Sequence, residues 1–376
     1  MEASAPTPTA AVHAPDLVQL FEGAGPFVTV YLATEPAIEN AGPRNAARWR
    51  ALRDELAASG ASEAALSNVD PLVEDANTEG SGLAVIATDS GVSHLTNAPS
   101  APATDVGRWS PLPSVVQLLE WRQAAAAYVL VKTDRLGADL VAVAGAEIAE
   151  ETTAGSDPGP HVRRSNPGGW SQRRFQQRAE NSWEKNAKEV AAEIVRLVDQ
   201  VDARLLIVGG DVRAVQLLHE ELPTDLRAEV IDIDASRAVD GSAERSQDEA
   251  DTMVATAVAK DTVGLLQKFK EERGQGDRAA EGPEATLAAL SKAQVDVLLV
   301  HDDPADERPA WFGPQPEQVA LTQAALRNMG AGDGTQARLV DVAVRAALGT
   351  GAAVRIVPGT SVEGGLAAIL RWSDPT

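Results

Sequence analysis

Residues 161–203 read HVRRSNPGGWSQRRFQQRAENSWEKNAKEVAAEIVRLVDQVDA. Ser165, Asn166, Pro167, Gly168 and Gly169 stand in succession, turn and breaker residues that exclude a regular element there. Phe175, Ala179, Trp183, Ala187, Val190, Ile194 and Leu197 then recur at three- and four-residue steps. That spacing gathers one apolar stripe and predicts a long amphipathic helix lying on a core, with Ser171 as its N-cap. The reading is a glycine loop tipped by Trp170 and followed by a helix. Between positions 163 and 178 lie Arg163, Arg164, Arg173, Arg174 and Arg178 and no acidic residue, in a chain of formal net charge -22. A cationic loop on so acidic a chain needs a reason.

Composition bounds what that reason is. A length of 376 residues suits roughly two to three domains, and 44% hydrophobic residues is ordinary for a globular protein with a sizeable core. The absence of cysteine excludes disulfides and thiolate metal sites. The start, MEASAPTPTAAVHAP, lacks the basic beginning and apolar run of a secretory signal. The uninterrupted apolar run at 124–131 is too short to span a bilayer. The expectation is a cytoplasmic protein with no membrane partner. Strong acidity also argues against non-specific nucleic-acid binding and against DNA, because phosphate contacts need cationic surface. It leaves room for a local basic site.

Outward from the opening stretch, strands alternate with helices, which predicts an α/β protein. The tail 1–14 is expected to be disordered. Residues 27–34 (FVTVYLAT) form a strand, 38–43 a loop and 44–58 a helix with Trp49, Leu52 and Leu56 on one side. Arg44, Arg48 and Arg50 lie mostly on other sides of that helix, a second basic cluster that is either a solvated face or an RNA contact. Strands follow at 82–87 and 91–95, then a proline-rich connection at 98–113 and a short helix at 115–122. A hairpin covers 125–133 and 138–144. After the long helix come a strand at 205–208, a helix at 214–221, a strand at 229–233 and a long helix at 246–273. The last part reads as helix 283–293, strand 295–300, an acidic loop 301–316, helices 317–329 and 338–348, and strands 353–358 and 367–372.

Other chemistry is weakly supported. His13, His94, His161, His219 and His301 stand at no metal-ligand spacing, and His301-Asp302-Asp303 reads as a solvated loop. No nucleophile-turn sequence is present. Gly209-Gly210-Asp211 reads as a plain strand-to-helix turn, since no complete phosphate-loop sequence surrounds it. No cofactor is expected.

Three separate places carry a resemblance. Gly364-Gly365-Leu366-Ala367-Ala368-Ile369-Leu370-Arg371-Trp372 closely resembles the ending of archaeo-eukaryotic class-one release factors and Pelota proteins. Gly282-Pro283-Glu284 through Leu290, with the strand ending at Val300, resembles the opening of their third domain. Gly168-Gly169-Trp170-Ser171-Gln172-Arg173-Arg174-Phe175 resembles the release factors' Gly-Gly-Gln loop and the arginine-rich helix after it. The three agree in order and spacing. The chain resembles a bacterial relative of this family, of the type that includes Balon-type ribosome hibernation factors.

The resemblance implies a three-domain release-factor-like architecture, each domain a mixed sheet with packed helices. Residues 15–112 would face the decoding centre. Residues 113–274 would carry the Gly-Gly-Trp loop and long helix toward the peptidyl-transferase centre. Residues 275–376 would be similar to kink-turn-binding ribosomal proteins. The implied partner is the ribosome, through ribosomal RNA at both centres, with EF-Tu or another translational GTPase as a further one. The RNA-binding set is then Arg44, Arg48, Arg50, Arg163, Arg164, Gly168, Gly169, Trp170, Arg173, Arg174 and Arg178.

Two departures from the family shape the functional expectation. Where release factors carry the loop glutamine, this chain has Trp170. Indole has one N–H donor and no acceptor, so it suits stacking on a base, worth ~1–3 kcal/mol, rather than placing an attacking water. The family's Asn-Ile-Lys-Ser codon-reading loop is missing, with Ile38–Asn45 at about its place. The expectation is a non-enzymatic hibernation or protection factor in the aminoacyl site. A rescue factor that hydrolyses peptidyl-tRNA and an adaptor that recruits a GTPase are the alternatives.

Overall fold

The computed structural model describes residues 11–34, 41–74, 81–98, 100–134, 136–144, 147–155, 169–233, 242–276 and 278–373. The side chains at 41, 74, 147–148, 169–183, 242–248 and 360 lie outside that description. Contacts divide the chain into two compact units, residues 124–259 and residues 1–123 with 260–376.

The larger unit opens with the short helix α1 (Pro15–Val18) and strand β1 (Phe27–Ala33). Helices α2 (Ala41–Ala58) and α3 (Glu63–Glu74) follow. Then come β2 (Gly82–Thr88), β3 (Gly91–Ala98), β4 (Val106–Ser110) and helix α4 (Val116–Ala124). The sheet order is β3-β2-β1-β4, antiparallel at every pairing. Strand β1 is paired on both edges and covered on both faces by separate cores, which is why FVTVYLA is apolar almost throughout. Val28, Val30 and Leu32 meet Trp49, Leu52, Leu56, Leu66 and Val69 of α2 and α3. Phe27 and Tyr31 point the other way into a second core. Strand β4 arises in the stretch read as a proline-rich connection, and helix α3 in a stretch for which the sequence reading proposes no element.

The smaller unit holds β5 (Tyr128–Thr133), β6 (Ala138–Ala144), β7 (Glu147–Ala154), α5 (Gly169–Val201), β8 (Leu205–Gly210), α6 (Val212–Glu221) and β9 (Glu229–Ile233). The first half of α7 (Ser242–Gln275) also belongs to it. Its sheet runs β7-β6-β5-β8-β9, with β5, β8 and β9 parallel and the β5–β6–β7 pairings antiparallel. Helices α5 and α6 cover one face through Val190, Ile194, Leu197 and Leu218 against Val129, Leu140 and Leu206. The other face receives Ala250 and Val254 of α7 against Leu130 and Ile207. This is the three-layer α/β arrangement that alternating strands and helices predict.

The β8–α6 turn is Gly209-Gly210-Asp211. Gly210 has φ +146, and a Cβ there would stand 1.9 Å from the Thr133 carbonyl oxygen, so only glycine fits. Asp211 caps α6, its carboxylate accepting from the amides of Arg213 at 3.1 Å and Ala214 at 3.2 Å. Those are the donors a bound phosphate would need, so the turn is a helix cap and not a phosphate loop.

The remainder of the larger unit contains β10 (Ala279–Glu281), α8 (Gly282–Leu290), β11 (Val295–Val300), β12 (Pro309–Phe312), β13 (Val319–Ala320), α9 (Gln323–Asn328), β14 (Thr335–Arg338), α10 (Leu339–Gly349), β15 (Ala353–Ile356) and β16 (Leu366–Leu370). One sheet runs β10-β16-β11-β15 and a smaller one β13-β12-β14. The helix expected at 317–329 is instead strand β13 and the short α9. Val319 and Ala320 are buried in the small sheet, and Thr322 caps α9 by accepting from the Ala325 amide, so helix begins only there. After β16, Arg371 donates to the carbonyls of Ala293 and Thr350 at 3.3 Å each. Both carbonyls follow a helix end, where cationic donors are favoured; this gives the C-terminal motif a structural task.

The sequence reading separates residues 15–112 from 275–376 as two domains. In the structure they share one core, in which Phe27, Tyr31 and Leu119 pack with Leu298, Val342, Ala343 and Leu366. Two polar links join the same parts. Gln123 brackets Ile356 on the edge strand β15, donating to its carbonyl at 2.9 Å and accepting from its amide at 2.8 Å. Ser114 donates to buried Asp341 at 2.8 Å and accepts at its carbonyl from Tyr31 at 2.6 Å. The division at 112 and 274 therefore gives way to one near 123 and 260, because long-range burial outweighs the proline-rich connection. Among the described residues no helix is long and apolar enough to cross a membrane.

Candidate nucleic-acid interface

Helix α5 carries the first cationic cluster. Its sheet-facing stripe is the one read from the spacing: Ala187, Val190, Ile194 and Leu197 are buried, joined by Ala191 and Val198. Asn186, also buried, donates to the Leu136 carbonyl at 3.1 Å and ties the helix to the β5–β6 turn. The helix begins at Gly169, which corrects two expectations. Ser171 lies inside the first turn and is not the N-cap, and Gly169 and Trp170 belong to helix backbone rather than to a loop tip.

From Gly169 to Asn186, the first buried residue among the described side chains, the helix extends roughly 25 Å at 1.5 Å per residue. Positions 173, 174 and 178 fall on this stretch. The helical repeat of about 100° per residue sets positions 174 and 178 opposite the 190, 194 and 197 stripe. Arg163, Arg164 and Gly168 lie outside the described residues, as do the side chains of Trp170, Arg173, Arg174 and Arg178 and of the apolar positions Phe175, Ala179 and Trp183.

The second cluster sits on α2 in the other unit. Trp49, Leu52 and Leu56 are buried, so the helix presents Arg44, Arg48 and Arg50 outward, and all three are exposed. This cluster is partly neutralised. Arg48 pairs with Asp105 at 3.3 Å, and Asp105 itself accepts from the Ala33 amide at 2.7 Å. Arg53, the border residue of the sequence reading, is held by Asp70 and Glu63, whose hydrogen bonds raise its pKa. None of the three acidic partners, Asp105, Asp70 and Glu63, lies within two helical turns of the arginine it meets, so no local pattern announces them. Asp70 also accepts from the buried Trp49 indole at 2.8 Å. Asp70→Ala leaves that donor unpaired, and urea titration is expected to show a loss of about 1–3 kcal/mol.

The remaining polar candidates have structural partners. Asp302 pairs with Arg338, which also donates to the Asp303 carbonyl. His219 meets Asp232 at 2.8 Å. Among the described residues no group of three or more histidine, cysteine or acidic side chains could hold a metal.

Residues 127–275 match the model of bacterial archaeo-eukaryotic release factor family 2. That segment contains Gly168, all of α5 and the five arginines between positions 163 and 178. The uncharacterized protein Rv2629 of Mycobacterium tuberculosis is 29% identical over 367 residues, covering 93% of this chain and 94% of the relative. Among solved structures, the archaeal Pelota in a model of ribosome-bound Pelota and ABCE1 aligns over 100% of both chains at 16% identity and TM-score 0.41. Archaeoglobus fulgidus Pelota aligns over 95% of this chain and 92% of its own at 14% identity and TM-score 0.35. Residues 127–275 are therefore similar to bacterial archaeo-eukaryotic release factor family 2, and the chain as a whole is similar to Rv2629.

Proposed function

We propose that the protein binds the ribosome in the aminoacyl site of idle or stalled particles and protects or silences them without cleaving peptidyl-tRNA. The observation that carries this reading is the release-factor match over residues 127–275, the segment that holds five arginines without an acidic residue between positions 163 and 178. Guanidinium groups neutralise phosphates without reading sequence, which suits ribosomal RNA. The acidity of the rest of the chain repels RNA elsewhere and restricts binding to where the cationic segment fits. EF-Tu or another translational GTPase is a further proposed partner, and the cytoplasm the proposed location.

Sedimentation of the purified protein with vacant and with tRNA-filled ribosomes tests the reading. Co-sedimentation with vacant particles is expected; co-sedimentation with neither would remove every ribosome reading together.

Chemistry follows from Trp170. Release needs a water positioned for attack and donors for the oxyanion. An indole at the position of the family's glutamine supplies bulk and a π face instead. Ser171 and Gln172 are the nearby neutral polar residues, and both lie on helix α5. Stoichiometric protein added to ribosomes carrying labelled peptidyl-tRNA is expected to leave the ester at its background rate. Trp170→Gln is expected to gain little. Multiple-turnover release that is lost on changing Gly168, Gly169 or Gln172 would replace this reading with ribosome rescue.

A further inference from the structure

Within the larger unit, a groove of ≈ 670 Å³ opens between the turns around Phe21, Pro26 and Leu112 and the end of β12 at Phe312 with the following Pro314. Its volume is that of a small-ligand site. Arg345 of α10 lines it although this residue is only 7% exposed. The guanidinium donates from Nη2 to the carbonyls of Gly313 at 3.0 Å and Pro314 at 2.9 Å, and from Nη1 to that of Gln315 at 3.4 Å. Its central carbon stands 5.1 Å from the Phe312 ring centroid.

Carbonyl dipoles and a ring face offset part of a buried positive charge, but a buried cation ordinarily has an anion beside it. Among the described residues no carboxylate lies within ion-pair distance of Arg345, and Glu317 acts on it only as a more distant charge that opposes the effect of burial. A groove of mixed polar and apolar lining, with Phe21, Leu112 and Phe312 on its walls and one cation that lacks an acidic partner, suits a ligand with one negative charge on an apolar body. Polyanions such as nucleic acid are disfavoured, since the groove offers a single cation and the chain as a whole carries -22.

We propose that this groove binds a small apolar monocarboxylate, its carboxylate paired with Arg345 and its hydrocarbon body lying against Phe21, Leu112 and Phe312. The site is separate from the ribosome reading and is tested on the free protein, so either idea can fail without the other.

Octanoate, octanol and octylamine titrated into the full-length protein by calorimetry provide the test. Octanoate is expected to bind one to one and at least tenfold more tightly than octanol, with no heat from octylamine. Arg345→Met is expected to remove the preference for octanoate over octanol. Thr335→Trp fills the groove from an exposed position on β14 that lines it, and is expected to lower octanoate affinity at least tenfold while leaving Arg345 in place. Should Arg345→Met fail to fold, Thr335→Trp decides alone. Octanoate binding no tighter than octanol, or undiminished in Thr335→Trp, would overturn the proposal.

Discussion

Exchanging Arg163, Arg164, Arg173, Arg174 and Arg178 for glutamine is expected to flatten the salt dependence of ribosome binding more than any other change to this chain. Each lost phosphate contact lowers the slope of log affinity against log salt by ~0.7–0.9, so all five together lower it by roughly 3.5–4.5. Between 50 and 200 mM salt, the wild type is then expected to lose roughly a hundredfold or more in affinity beyond what the variant loses. Titration of labelled protein with ribosomes across a potassium chloride series measures both slopes. Equal slopes would assign these arginines to solvent or to the fold. The matching exchange at Arg44, Arg48 and Arg50 is expected to do less, because Arg48 is already paired with Asp105 and an exposed pair has little to gain from a second anion.

The second large effect is on stability and concerns Asp341. Its burial, opposed by the nearby charge of Arg338 and the Ser114 hydrogen bond, pushes the carboxyl from 3.8 up to about 6. The folded form therefore holds this proton more tightly than the unfolded chain does. The resulting stabilisation is fully present below 3.8 and is lost as pH rises through 6. At 1.36 kcal/mol per pK unit the difference across that window is about 3 kcal/mol. Asp341→Asn keeps an oxygen to accept from Ser114 and removes the titration. Urea unfolding at a series of pH values from 4 to 7.5 is expected to show the wild type losing up to about 3 kcal/mol relative to the variant as pH rises. A wild-type–variant difference that stays constant across the series would mean that Asp341 does not titrate in this window. Because Ser114 and Asp341 come from the two separate segments of the larger unit, the same measurement reports on how those segments are held together.

The local elements were legible in the residues, and for identifiable reasons. The stripe through Val190, Ile194 and Leu197 is periodic, so its burial against the sheet follows from helix geometry alone. The run FVTVYLA is apolar at both parities, as a strand covered on two faces must be. Gly210 and Asp211 mark a turn and a cap by residue type. The arginine cluster and the release-factor resemblance at Gly168–Phe175, which lies within the family match over residues 127–275, were equally visible, because charge and motif spacing are properties of the chain itself. The reading of α2 placed its arginines outward correctly but could not supply Asp105, which lies 57 residues from Arg48.

Tertiary structure alone decided the rest. Strands β4, β10, β12 and β14 are short, and gain their hydrogen bonds only from partners distant or weakly signalled in sequence, whereas β7 is polar and pairs with its neighbour β6. The start of α5 at Gly169 puts Trp170 in a helix, although the paired glycines suggested a loop tip. The union of the two chain ends in one core depends on Tyr31, Leu119, Leu298 and Ala343 meeting across the length of the chain, and on a Ser114–Asp341 bond spanning 227 residues. Periodicity and turn chemistry act over a few residues. The burial that joins these ends is non-local, and no window of the sequence contains both halves of it.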